Sequence, residues 1–408
     1  MNRLIDIIII LCTLTIVSAC KDEDEEETIV WGDRTVIVYL SGENSLSSVV
    51  ATDIEEMKRG SRLIGNNNLV VYVDRSYKSE LPWLARIRDG QITDSVSVAD
   101  IGIDKRDVDS SDPTVMKAVL HYAVRHYPAR RDYGLVLWGH STGWLSSDFS
   151  ARRTRAYGID NGHNSLSNTG NWMTIPDLQR VLSTVPHLKF IFADCCNFMC
   201  LESLYELRNV ADYIIGSPAE IPEAGAFYTD VVPALFESTT FALSILNKYS
   251  PADDISPPLA VVKTSEMENV AHATRNILQT IKEDAWDSYP DMTGIIHYYN
   301  TNAKNGYLPE YNIFYDAGDF FRHHASEGDY RQWKESLNRA VVGKTMATRW
   351  ETDKVWSVFY SDFTMTEESY HGVSMFVPQD PSKGNYANFN QEIRKLAWYH
   401  AVNPENNN

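Results

Sequence analysis

Leu135-Val-Leu-Trp-Gly-His-Ser-Thr-Gly-Trp144 runs from an apolar stretch straight into a polar turn bracketed by glycines. Together with Tyr133 and Gly134, the apolar part reads as a short strand buried on both faces, because no polar residue alternates within it. In an open sheet of parallel strands, reactive side chains collect just past the carboxyl ends. This turn presents two there, His140 and Ser141.

The chain supplies further strands of the same kind. Thr35-Val-Ile-Val-Tyr-Leu40, Asn68-Leu-Val-Val-Tyr-Val-Asp74, Leu188-Lys-Phe-Ile-Phe-Ala193 and Ala211-Asp-Tyr-Ile-Ile-Gly216 are compact runs rich in β-branched and aromatic residues. Helices are expected over Ser45 to Arg59, Ile175 to Leu182 and Leu201 to Arg208. Another runs to about His126 behind Asp112 as N-cap and Pro113 at the first helical position. Pro82 to Ile101 folds back around Asp89-Gly90 as a hairpin. Strands alternating with helices imply an α/β fold, a mostly parallel central sheet with helices on both faces. Beyond Tyr228 the pattern turns to helices, at Ser265 to Lys282 and Tyr330 to Lys344, with a late strand over His371 to Val377. A helix-rich C-terminal part therefore packs on the sheet.

Two strand ends carry reactive groups, Trp138-Gly-His-Ser-Thr-Gly143 and Phe192-Ala-Asp-Cys-Cys-Asn197. The first fits G-x-S-x-G, the elbow that exposes a serine nucleophile in α/β-hydrolases, and so admits a serine esterase or lipase built on Ser141. That elbow needs a helix at once, yet Gly143 to Arg155 has no apolar stripe of helical period. The second end offers Cys196 as a thiol nucleophile, with His140 across the rim as its proton acceptor. Side chains alternate along a strand, so Asp194 and Cys196 point to one side and Cys195 to the other. Asp194 would hinder thiolate formation and makes better sense as a receptor for a substrate cation, or as a helix N-cap. A protein of this kind without turnover, using its many Tyr and Trp residues to hold peptide or glycan, is a third reading. No metal motif is present: His323-His324 are adjacent, and H-E-x-x-H and paired C-x-x-C are missing. Asp160-Asn-Gly-His-Asn164 has calcium-ligand chemistry but reads better as a polar turn, so no cofactor is required and calcium has no motif behind it.

Met1 to Ala19 has one arginine, a short apolar run and a small-residue end, the layout of a secretory signal and too short for a membrane span. Lys21-Asp-Glu-Asp-Glu-Glu-Glu27 follows as an acidic, self-repelling tether. The net charge of −18 argues against nucleic acid and anionic membrane surfaces and suits basic substrates. Of the 5 cysteines only Cys195, Cys196 and Cys200 fall in the folded part, too closely spaced for a disulfide framework.

These segments resemble the clostripain-like cysteine peptidases, which share the caspase and gingipain type of fold. Thr35 to Leu46 resembles the family's opening strand and loop, Leu135 to Trp144 the turn with its catalytic histidine, and Asp194-Cys-Cys-Asn-Phe-Met-Cys-Leu-Glu-Ser-Leu-Tyr-Glu-Leu207 the stretch with its nucleophile. Tyr213 to Pro222, Tyr315 to Phe320 and His371 to Pro378 also match family segments. The resemblance implies an endopeptidase that cuts protein or peptide substrates after Arg or Lys through a thioester on Cys196, with His140 as acid/base. It further implies Asp194, Ser217 and Glu220 on the substrate side, and the backbone N–H groups of Ser141 and Cys196 toward the oxyanion. Ser141 stands where the family usually has glycine, and Cys195 where it has alanine. Self-cleavage between histidine and cysteine would fall at Arg152, Arg153 or Arg155. Val17-Ser-Ala-Cys20 resembles a bacterial lipobox, with Cys20 lipidated as a membrane anchor, and the acidic run resembles the export signal of Bacteroidetes-type surface lipoproteins, at the outer membrane and facing outward. The chain then divides into a signal peptide at 1–19, a tether at 20–34, a caspase-like catalytic domain at 35–245, and 246–408 as the C-terminal part of the same peptidase unit.

Overall fold

The computed structural model describes residues 29–76, 80–103, 108–145, 156–162, 170–249, 257–281, 288–298, 313–345, 349–353, 357–360, 365–384 and 386–403. Cys20 with the segment before it, and Arg152, Arg153 and Arg155, lie outside the described residues.

The chain begins with β1 (Gly32–Gly42), α1 (Val50–Gly60), β2 (Asn68–Arg75), β3 (Trp83–Arg88), β4 (Gln91–Ser97), α2 (Pro113–His126) and β5 (Ala129–Trp138). A small pair, β6 (Tyr157–Asp160) and β7 (Asn171–Met173), leads to α3 (Ile175–Leu182), β8 (Leu188–Asp194), α4 (Leu201–Glu206) and β9 (Ala211–Gly216). Next come α5 (Tyr228–Leu235), α6 (Phe241–Lys248), β10 (Leu259–Lys263), α7 (Met267–Ile281), β11 (Tyr315–Asp316), α8 (Ala317–His324), α9 (Glu327–Ala340) and β12 (Val341–Thr345). The last elements are a hairpin of β13 (Arg349–Asp353) and β14 (Ser357–Tyr360), the two-residue β15 (Ser374–Met375), α10 (Tyr386–Glu392) and α11 (Ala397–Val402).

One 9-stranded sheet has the order β12-β10-β9-β8-β5-β1-β2-β3-β4. Neighbours from β9 to β2 in that order are parallel, and antiparallel strands flank them, β3 and β4 at one edge, β10 and β12 at the other. The apolar runs are buried on both faces, as their lack of alternation requires. Val36, Val38, Leu40, Val136, Trp138, Phe190 and Phe192 face α1, α5 and α6. Ile37, Tyr39, Leu135, Leu137, Ile191 and Ala193 face the larger core under α2, α3, α4 and α7. Burying each such side chain is worth about 1.5–3 kcal/mol, so the two-faced burial holds the sheet together.

Local chemistry explains most boundaries. Asp112 caps α2 by accepting from the Thr114 N–H, with Pro113 inside the first turn. Asp89 and Gly90 both take positive φ (50° and 81°), the backbone of a tight hairpin turn joining β3 to β4. Some elements differ from the sequence reading. Ser45–Ser48 is a single 3-10 turn, and the α-helix starts only at Val50. The helix expected to reach Lys344 ends at Ala340; Val341-Val-Gly-Lys-Thr345 instead forms an edge strand antiparallel to β10. The β-branched pair favours that choice, and Gly343 permits it, since a Cβ there would stand 2.5 Å from Leu243. The run expected as a strand from His371 to Val377 pairs with β11 at Ser374–Met375, and Ser374 also bridges Cys200.

Arg34, wholly buried at the start of β1, ties the sheet to the helices beside it. Its guanidinium forks onto Asp132 of β5, donates to the carbonyls of Leu235 (2.7 Å) and Glu237 (2.9 Å), and lies over the rings of Phe190 and Phe241. Arg34→Ala strands those groups and is expected to destabilise the protein by about 3–5 kcal/mol. Asp132→Asn, at a partly exposed partner, is expected to cost about 1 kcal/mol; urea unfolding of both variants measures the difference.

Candidate active site

The parallel strands end level with one another. Leu40 pairs with Trp138, Trp138 with Asp194, and Ala193 with Gly216, so the residues just beyond them share one rim. His140 and Cys196 each stand two positions past the Trp138–Asp194 pair, on strands roughly 4.8 Å apart.

At the end of β5 the chain passes through Gly139, whose φ of 140° suits glycine alone; a Cβ there would stand 2.9 Å from the Ser41 carbonyl. His140 follows. Among the described residues no helix begins after Ser141, and Thr142 to Leu145 are turn and loop. That residue forms an antiparallel bridge with Tyr157, flanked by Gly158 N–H to the His140 carbonyl (2.9 Å) and Thr142 N–H to the Ala156 carbonyl (2.9 Å). Ser141 is buried, its hydroxyl accepts from the Gly143 N–H (3.1 Å), and it lies against the Cys195 thiol. The serine-elbow geometry is therefore absent at this turn, because the backbone is spent on pairing with β6. In that bridge the Ser141 N–H points away from Tyr157, and Ser141 has ordinary negative φ.

At the end of β8, Cys195 is fully buried in the larger core and Cys196 is half-buried on the rim. Asn197 turns the chain with a φ of 55°, a conformation asparagine tolerates, and its N–H reaches the Ala219 carbonyl (2.9 Å). Cys200, not Cys196, occupies the N-cap position of α4. The Cys196 sulfur accepts from the Ile221 N–H at 3.4 Å. Burial, then the nearby Glu220 carboxylate, push its thiol up to about 12. Burial alone holds the His140 imidazole down to about 4, and its Nε2 is bonded to Ser45 Oγ at 2.8 Å. At neutral pH the substrate-free site is thus a neutral thiol and a neutral imidazole.

Asp194 turns the opposite way from Cys195, into the core beneath α5 and α6. Its Oδ2 accepts from the Tyr228 hydroxyl (2.7 Å) and the Ala226 N–H (3.1 Å), and its Oδ1 from the Tyr249 hydroxyl (2.9 Å). Gly225, at φ 58°, lets the loop close over it, since a Cβ would lie 2.9 Å from Oδ2. Asp53 of α1 is near enough that Asp194 adds to the burial pushing its carboxyl up to about 8, and it accepts from Trp138 Nε1 (2.8 Å). Among the described residues, neither carboxyl has a lysine or arginine partner. Ser217 is buried with its hydroxyl on the Ala219 N–H (3.0 Å), and Glu220 is half-buried beside the Cys196 thiol. The site thus gathers His140, Cys196, Asp194 and Glu220. It also draws in Ser45, Asp53, Ile221, Tyr228 and Tyr249, which no motif singles out as site residues; Ser45 and Ile221 lie within segments that carry the family resemblance, Thr35 to Leu46 and Tyr213 to Pro222.

Glu43, Asp74 and Asp160 bring one oxygen each within 4.8 Å of one another on the far side of β1. Asp160 is already bonded to Ser110 through its N–H (2.7 Å) and hydroxyl (3.1 Å), and to the Gly162 N–H (3.0 Å). His163 and Asn164 of the turn considered for calcium lie outside the described residues.

A thiol and an imidazole on neighbouring ends of a parallel sheet, above buried carboxylates, define the class as cysteine peptidase on a caspase-like fold. Residues 38–407 match the clostripain family, and the chain belongs to that family. No curated protein sequence matches it significantly. A secreted C11 cysteine protease from Bacteroides thetaiotaomicron, solved with an irreversible peptide inhibitor, is 30% identical over 92% of this chain and 99% of its own, with a TM-score of 0.71. An inactive zymogen C11 protease from Parabacteroides distasonis is 27% identical over 91% and 98%, with a TM-score of 0.72.

A thiol titrating near 12 stays protonated across the accessible range. Alkylation of Cys196 by iodoacetamide in the substrate-free protein is therefore expected to rise about tenfold per pH unit between about pH 7 and 10, without levelling off. Buried Cys195 and Cys200 stay unmodified, which peptide mapping of the alkylated protein checks.

Proposed function

We propose that this cysteine peptidase is an endopeptidase cleaving after Arg or Lys, with Cys196 as nucleophile, His140 as acid/base, and Asp194 and Glu220 drawing the substrate's cation to the rim. The observation that carries this reading is the level register of Trp138 and Asp194, which sets the thiol and the imidazole side by side above the buried Asp194, whose three donors are all neutral.

Catalysis begins from neutral groups. The Cys196 sulfur attacks the carbonyl carbon of the scissile bond as its proton passes to His140. The C–N bond breaks while His140 returns that proton to the departing amine, leaving a thioester on Cys196. Water then adds to the thioester, giving its proton to His140, and the acid leaves as the sulfur regains a proton. The N–H groups of Ser141 and Cys196 are the donors proposed for the oxyanion; the Ser141 N–H is not used in the bridge to Tyr157. A bound Arg or Lys side chain would offset Glu220, one of the causes of the high thiol pKa, so the substrate's own charge helps the proton leave.

In the same reading Cys20 bears a lipid that anchors the protein at the outer membrane, facing outward. Self-cleavage at Arg152, Arg153 or Arg155 activates it, and residues 35–245 and 246–408 act as one unit. The described residues include no helix long and apolar enough to cross a membrane.

Hydrolysis of fluorogenic peptides ending in Arg, Lys, Ala or Asp, by protein lacking residues 1–20, tests the reading. Cleavage after Arg and Lys is expected, lost in Cys196→Ala and reduced about 10- to 100-fold in kcat/KM by Asp194→Asn. Cleavage surviving in Cys196→Ala, or a preference for Ala or Asp, would overturn it. Mass spectrometry of the incubated full chain is expected to show an acylated Cys20 and a cut within Arg152–Arg155 that Cys196→Ala lacks.

A further inference from the structure

We infer that Ser45 is a positioning residue for the base: by accepting from Nε2–H of His140, it leaves Nδ1 as the ring nitrogen that exchanges protons with Cys196. The inference rests on the proposed Cys196–His140 chemistry and adds to it which nitrogen acts and what holds the ring.

The contact is direct, Ser45 Oγ to His140 Nε2 at 2.8 Å, between residues on the ends of the paired strands β1 and β5. Both sides are braced from behind by one strand. Asn44, next to Ser45, donates to the carbonyls of Ser41 (2.9 Å) and Ile159 (2.8 Å) and accepts from the Leu46 N–H (2.9 Å). On the other side the His140 carbonyl takes the Gly158 N–H, and the Glu43 carbonyl takes the Asn161 N–H (2.9 Å). Strand β6 therefore fixes the turn carrying Ser45 against the turn carrying His140.

A ring nitrogen's protonation is set by the hydrogen bond its other nitrogen makes. With Nε2–H given to Ser45, the neutral ring keeps a bare Nδ1 to take the thiol proton. Once both nitrogens carry hydrogen, the Ser45 oxygen remains as acceptor for the charged ring, where the bond is stronger. The Ser45 hydroxyl hydrogen stays free for solvent, since the residue is exposed on the rim. The same bond fixes the rotation of the ring, with its Nε2 edge turned to the β1 side.

Ser45→Ala, Ser45→Thr, His140→Ala and Cys196→Ala test the assignment. Ser45→Ala is expected to lower kcat about tenfold at unchanged KM and unchanged melting temperature, with the acid limb of the pH profile moved down as the charged ring loses its acceptor. Ser45→Thr, which keeps the hydroxyl, is expected to restore both. In the Cys196→Ala background, 15N NMR of His140 should show hydrogen on Nε2 with serine at 45 and a tautomer mixture with alanine. Unchanged or faster turnover in Ser45→Ala, or a His140 bearing hydrogen on Nδ1, overturns the inference while Cys196→Ala and His140→Ala remain inactive. Activity surviving in those two variants instead overturns the underlying assignment of the pair.

Discussion

Everything at the site depends on the level pairing of β1, β5, β8 and β9. A parallel ladder has one register that buries both faces of every strand, and a shift by one residue would turn each apolar set toward the wrong core. Val36, Val38 and Leu40 must meet one set of helices while Ile37 and Tyr39 meet the other. That constraint places Leu40, Trp138 and Asp194 abreast. The turns carrying Ser45, His140 and Cys196 then have nowhere to open except along one rim. Glycine at 139 and asparagine at 197 supply the backbone shapes that turn the chain there.

The electrostatics of the rim follow from its burial. Desolvation raises a thiol and lowers an imidazole, so the pair rests uncharged. Nearby Glu220 and Asp194 push the thiol further up, and Asp194, itself raised by burial, accepts from three neutral donors, two of them tyrosine hydroxyls. Such donors satisfy hydrogen bonding but bring no positive charge, which is the ground for proposing that a substrate cation is what pairs with this carboxyl. Under the proposed specificity, a site built this way would stay quiet until a basic side chain arrives.

Much of this was legible in the residues. The unalternating runs identified the buried strands, Asp112-Pro113 marked a helix start, and Asp89-Gly90 marked a hairpin, because each depends on local backbone chemistry. The alternation along Phe192 to Cys196 separated the buried Cys195 from Cys196. Val341 to Thr345 reads locally as the tail of a helix, since nothing local reveals that β10 has an open edge to be paired. Leu259–Lys263 gives no strand signal of its own that sets it apart, and its partners, β9 and β12, lie far along the chain.

From its sequence alone this protein has its two-faced strands, its family and the identity of its candidate thiol and imidazole, all properties of short segments or of their order. Only the tertiary structure decided that Ser141 pairs with β6 in place of starting a helix, that Tyr228 and Tyr249 hold Asp194, and that Ser45 holds His140. Tyr249 lies 55 residues from the carboxylate it donates to, and Ser45 lies 95 from its histidine. Contacts at such separations come from packing and strand order, to which local propensity is blind.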